Sequence, residues 1–240
     1  MRKFCLVVLL VVFGGSSGAS AVPIVVKNIA TGIDDGTGQK LAYLTPDNDY
    51  VIGAGSTEGV GLVPHAFQLG HDWFGDGASS SSRFIAIDIS HPESAHPQNG
   101  AMALPGIYSF ITTVDLTGFY AASAQIEDIR YAADNTLVEL IINGTSVFSE
   151  PPADPGADFY QFHTLGSVGA GLMQSGLNEI EFRINNGGNN ANPMGFRVEG
   201  LVTAEVVPEP NTALLLGFGL VGLGVKRRRR TSHSVDGRAS

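Results

Sequence analysis

The chain has 240 residues, 43% of them hydrophobic and only 15% charged, with 31 glycines. That length suits one ordinary domain with tails, or two small ones, and so apolar a composition argues against a wholly disordered chain. The formal charge of -9 conceals a body, Val22 to Val207, with 6 basic against 21 acidic residues, net -15, which excludes nucleic acid as a partner and disfavours anionic lipid.

Residues 1–21 read as a secretory signal peptide. Arg2 and Lys3 form a positive start and Phe4 to Phe13 is an unbroken apolar run. Ala19-Ser20-Ala21 offers the small-x-small pattern that signal peptidase cleaves, with the cut after Ala21. The run is too short for a spanning helix, which wants about 20 apolar residues. The single cysteine, Cys5, leaves with the signal, so the mature segment holds no disulfide, thiolate nucleophile or cysteine-based zinc site. Stability has to come from packing.

Residues 22–204 read as one all-β domain, a single antiparallel β-sandwich. Short strand-like segments alternate with Gly, Asn, Asp and Pro clusters, and no long helical stripe appears. Strands are expected over Ile24 to Ile29, Arg83 to Ile89, Tyr108 to Leu116, Ala122 to Ile129, Thr136 to Ile142, Thr145 to Phe148, Phe159 to Leu165, Glu179 to Ile184 and Phe196 to Val207. Period-two alternation puts Tyr108, Phe110, Thr112, Val114 and Leu116 on one face. Asn143-Gly144 is a hairpin turn, Asp134-Asn135 an Asx-type turn, and Gly176-Leu177-Asn178 a tight turn ahead of a strand.

Two loops hold the groups that sugar recognition uses, an aromatic face with planar polar side chains. The first carries Asp72, Trp73 and Asp76, followed by serines 79–82; the second is amide-rich and runs from Asn185 and Asn186 to Asn192. Oxygen ligands for calcium are available at Asp34, Asp35, Asp47, Asp49, Asp72 and Asp76, yet none completes an EF-hand pattern. No nucleophile elbow, phosphate-cradling loop or His-Glu-x-x-His motif occurs. Glu179 and Glu181 share one strand face, but carboxylates that flank a substrate normally come from different elements, so a solvent-facing strand explains them.

The C-terminus is the most specific part. Val207-Pro208-Glu209-Pro210 precedes an apolar segment, Ala213 to Val225, and then Lys226, Arg227, Arg228, Arg229 and Arg230. The prolines hold the chain extended and expose it to a processing enzyme. As a helix, Thr212 to Val225 would span about 21 Å, short of the roughly 30 Å hydrocarbon core unless the basic side chains snorkel. The basic cluster should stay cytoplasmic, leaving the body on the far side. Residues 205–230 therefore form a sorting or anchor segment, and 231–240 a basic-poor tail.

This three-part ending resembles the PEP-CTERM sorting signal of exported proteins in Gram-negative bacteria. The resemblance implies an exosortase, a membrane-embedded cysteine protease, cutting near Pro208-Glu209-Pro210, transient inner-membrane insertion, and delivery to the cell surface or extracellular polysaccharide matrix. A permanent single-span anchor is the alternative. A second resemblance covers Pro105 to Val206. Pro105-Gly106-Ile107-Tyr108, Asp115-Leu116-Thr117-Gly118, Ala133-Asp134-Asn135, Ile142-Asn143-Gly144 and Gly176-Leu177-Asn178-Glu179 follow the order of the galactose-binding-like jelly rolls. It implies a jelly-roll body, carbohydrate binding through loops and a structural calcium with unspecified ligands. The combined expectation is an exported, non-catalytic surface protein, against a secreted polysaccharide- or peptide-active hydrolase or a purely structural adhesin.

Overall fold

Alternating apolar side chains must bury one face of each strand, and the longest segments do so. The structure, a computed structural model, describes residues 22–67, 81–87, 101–152, 159–208 and 217–220. Its early strands are short: β1 (Ile24–Asn28), β2 (Ile33–Asp34), β3 (Gln39–Lys40), β4 (Val51–Ile52), β5 (His65–Ala66), β6 (Ile85–Ala86) and β7 (Ala101–Ala103). The later ones are β8 (Gly106–Asp115), β9 (Phe119–Asp134), β10 (Thr136–Ile142), β11 (Thr145–Ser149), β12 (His163–Val168), β13 (Leu177–Asn186) and β14 (Asn192–Val206).

All pairings among these strands are antiparallel. One sheet runs β12-β9-β14-β6-β5, with β1 and β7 also on β14; a second runs β11-β10-β13-β8-β4; β2 and β3 form a hairpin. Within the first sheet β14 is the hub. Along one side it pairs with β9, and along the other it meets β7, β6 and β1 in turn. In the second sheet β13 and β8 pair without a break from Leu177↔Asp115 to Asn186↔Gly106.

Both sheets contribute to one cluster of buried side chains. Phe196 of β14 lies 5.2 Å from Phe110 of β8 and 5.1 Å from Phe182 of β13, centroid to centroid, all three fully buried. Such tilted ring pairs add to the burial of each aromatic face. The face expected for Tyr108, Phe110, Thr112, Val114 and Leu116 is buried. Asn143 and Gly144 both have positive φ, 49° and 77°, as a two-residue hairpin turn needs.

Several expectations need correction. Of the strand expected over Arg83 to Ile89, only Ile85–Ala86 pair as strand among the described residues, although Phe84 to Ile87 are all buried; Asp88 and Ile89 lie outside the described residues. Asp134-Asn135 is no local Asx turn. It is the corner where the chain leaves the first sheet for the second, and the Asn135 Oδ1 accepts from Gly187 N, just past the end of the neighbouring strand β13. The last strand, expected over Phe196 to Val207, runs from Asn192 to Val206. Of the expected C-terminal helix, only residues 217–220 are described, as helix; among the described residues no helix is long and apolar enough to cross a membrane.

Candidate functional site

The point where the fold hands over to its C-terminal tail is sharply built. Asp115 Oδ1 accepts from Thr117 N at 2.9 Å and from Thr117 Oγ1 at 2.7 Å, a local turn whose bonds hold the exposed carboxyl below its ordinary range. Gly118, at φ 86°, completes the reversal into β9 and presents its carbonyl to the end of β14. Val206 pairs with Phe119, and Val207 N donates to Gly118 O at 2.9 Å. Pro208, which has no N–H to donate, is exposed. The sheet stops there. At the same end Ile24 pairs with Ala204, so the residues just after Ala21 run beside those just before Pro208. Ala19, Ala21, Glu209, Pro210, Lys226, Arg227, Arg228, Arg229 and Arg230 lie outside the described residues.

The expected ligand loops fare differently. Asp72, Trp73 and Asp76 also lie outside the described residues. Asn185 and Asn186 are not in a loop: they continue β13, because β8 offers partners as far as Gly106. Asn186 is 1% exposed, and its Nδ2 donates to Ala103 O and Leu104 O at 3.0 and 3.1 Å. Asn192 Nδ2 closes the remaining loop on itself through Gly187 O and Asn190 O. These amides replace missing backbone partners.

The carboxylates are similarly committed. Glu181 is buried rather than solvent-facing, accepting from Ser109 Oγ at 2.6 Å and from Arg183 Nε at 2.7 Å. Arg183 continues to Glu139 at 2.9 Å, while Glu179 stays exposed. Asp34 shapes the β2–β3 turn through Thr37. Asp47, 1% exposed, accepts from Gly32 N at 2.6 Å and Asp49 N at 3.2 Å; burial nevertheless pushes its carboxyl up to about 6. Asp49 pairs with Lys27 at 3.2 Å. Asp35 is raised first by burial and next by the charge on Asp49. Turn and backbone duties thus occupy oxygens considered for calcium, and among the described residues no group of three or more His, Cys, Asp or Glu is arranged to hold a metal ion.

A polar network on the outer face of the first sheet was not anticipated. Arg197, fully buried, donates to Ser82 Oγ at 2.8 Å and Ser82 O at 2.7 Å. Glu199 accepts from Ser82 Oγ at 2.6 Å, Ser81 N at 3.0 Å and Arg130 Nε at 2.7 Å. Burial opposes ionisation of Glu199, but the bonds from Ser82, Arg130 and Ser81 win and hold its pKa below the ordinary value. The Phe162 ring packs against two guanidinium groups, 4.7 Å from Arg130 and 5.0 Å from Arg197.

Beside this network runs a groove of about 570 Å³ lined by Asn28, Ser81, Asp128, Arg130, Thr164 and Glu199. Pairing irregularities occur nearby in three strand pairs: between Val25 and Lys27, between Thr164 and Gly166, and between Glu199 and Leu201. Asp128 itself adopts φ 53°. Bulges bend strands and re-aim side chains, and here they accompany a break in the sheet's outer surface. The alternation Phe196-Arg197-Val198-Glu199 was the available signal, since it places Arg197 and Glu199 on the face opposite Phe196.

Residues 206–230 match the PEP-CTERM protein-sorting motif. The chain therefore carries this motif, joined directly to the end of β14. The motif implies export, sorting to the cell surface, and processing by an exosortase, a membrane protease. No curated protein matches this chain.

Proposed function

We propose that this is an exported, non-catalytic surface or extracellular-matrix protein. In this reading signal peptidase removes residues 1–21, the apolar segment holds the chain briefly in the inner membrane, and an exosortase-type protease cuts near Pro208. The body, 22–204 with its last strand extended to Val206, is read as a single jelly-roll-like sandwich; the core shared by its two larger sheets supports that. The observation that carries the proposal is the sorting motif beginning where the last strand ends. Intact mass of the protein recovered from medium and envelope tests it, with loss of both terminal segments expected. Full-length protein lodged in the inner membrane would reject it, as would unchanged delivery after deletion of residues 208–230.

A second reading adds carbohydrate binding, and the groove beside Glu199 favours it over the asparagine loop. The exposed Asp128 and Thr164 side chains and the half-exposed Arg130 guanidinium offer acceptors and donors to ring hydroxyls. Asp128→Gly removes the carboxylate while suiting the positive φ. On a glycan array, neutral oligosaccharides are expected to bind the mature protein and to bind this variant at least tenfold more weakly. Equal responses would remove the groove from consideration.

A further inference from the structure

We propose that the end of the body from which the sorting segment leaves rests on the lipid interface until the chain is cut. This inference depends on the reading above, in which the apolar segment after Thr212 sits in a bilayer. Only five residues, Pro208 to Thr212, separate that segment from Val207, which is pinned to Gly118. Fully extended, they reach at most about 18 Å. The headgroup layer on each side of the hydrocarbon takes up about 5–8 Å of that. The body is thus tethered at most about 13 Å from the headgroups, whereas β14 alone, 15 residues long, measures about 50 Å. Among the described residues, those at the opposite end of β14 lie too far away to reach that interface on so short a tether.

The side chains at this end match such a position. Strand register brings together Tyr120 opposite Glu205, Val206 opposite Phe119, Leu177 opposite Asp115, and Ile24 opposite Ala204. Leu177 is 64% exposed, Ile24 47%, Tyr120 46% and Val206 43%. Exposed apolar residues scattered singly need no explanation, but a set gathered at the tail's exit is a contact surface. Tyr120 has the amphipathic ring that favours the headgroup level. Asp115, Glu179 and Glu205 stand beside these residues, so the surface suits a shallow contact with zwitterionic lipid rather than insertion into hydrocarbon.

The mature segment contains no cysteine, which permits single-cysteine labelling with an environment-sensitive fluorophore. The protein from Val22 to Ser240 is reconstituted into phosphatidylcholine vesicles as four variants: Tyr120→Cys, Leu177→Cys, Leu104→Cys and Phe218→Cys. All four positions are exposed, so labels leave the fold intact, and Leu104 lies beside Asn186 at the opposite end of β13 from Leu177. Labels at 120 and 177 are expected to be quenched by a headgroup-attached quencher at least twofold more than the label at 104. The label at 218 is expected to respond to an acyl-chain quencher. If 120 and 177 behave like 104 while 218 is lipid-embedded, the contact surface is wrong and the inserted tail stands. A water-exposed label at 218 overturns the inserted tail and this inference together.

Discussion

Asp134 sits at the corner between β9 and β10, 5% exposed, and burial alone pushes its carboxyl up to about 7 from an ordinary 3.8. Between those values the folded chain keeps a proton that the unfolded chain has released, so stability falls as pH rises from about 4 to 7 and levels off above. About three pK units correspond to as much as ~4 kcal/mol. Asp47 acts in the same direction over a narrower window, up to about 6. Urea unfolding at pH 5 and pH 8 should therefore show lower stability at pH 8, and Asp134→Asn should remove most of the loss; parallel curves for both proteins would contradict this account. Asn178 is the opposite kind of residue. Its amide, 1% exposed, accepts from Gln174 N and Asn143 Nδ2 and donates to Gln174 O and Gly176 O. Asn178→Ala removes all four bonds, leaving Asn143 Nδ2 only its bond to Leu172 O, and should cost about 2–3 kcal/mol in the same assay. From sequence, Gly176-Leu177-Asn178 was readable as a turn because the residue types demand one. That Asn178 also bonds Asn143, the first residue of a separate hairpin turn, was not, since two turns 35 residues apart share no local pattern.

Among the strands, legibility followed apolar patterning and the turns that bound each segment. β8 stands out because its inward face is apolar but for Thr112, β10 because it is apolar along nearly its whole length, and both because the turns that bound them have strong chemistry. β9 was expected only over Ala122 to Ile129, yet it runs from Phe119 to Asp134. The positive φ of Asp128 and the pairing shifts beside it break the period-two pattern that would have joined the pieces. β6 was overextended for the converse reason: four consecutive buried residues look like a strand whichever way they point. The packing of β14 against β8 and β13 gives the clearest energetic test. Phe196 is fully buried between Phe110 and Phe182, so Phe196→Ala should cost about 3–5 kcal/mol, read as a fall in the denaturation midpoint at unchanged slope. A loss below about 1 kcal/mol would mean that the two sheets do not depend on this contact.

For the molecule as a whole, the sorting motif was fully legible and the body only in class. A sorting signal is read as a linear pattern of proline, apolar run and basic cluster, whereas the groove beside Glu199 arises from residues far apart in the chain. The architecture also makes the two terminal regions unequal. A chain ending at Val207 keeps every pairing of β14 and should melt cooperatively within a few degrees of the longer protein. A chain ending at Gly200 loses all four partners of β1 and half the grip of β14 on β9, and should show no cooperative transition by circular dichroism.

The central position of β14 has a consequence for biosynthesis. The strand that organises the first sheet is made last, and the pairing of Ile24 with Ala204 joins positions 180 residues apart. Until the ribosome has passed Val206, β9 lacks its full pairing on the β14 side, and β1 has no strand partner among the described residues. Long-range closures of this kind form slowly, and bare strand edges pair readily with neighbouring molecules in the meantime. Rapid overproduction should therefore yield aggregated protein even when the finished fold is stable, so yield will track the capacity of holdase chaperones more closely than it tracks melting temperature.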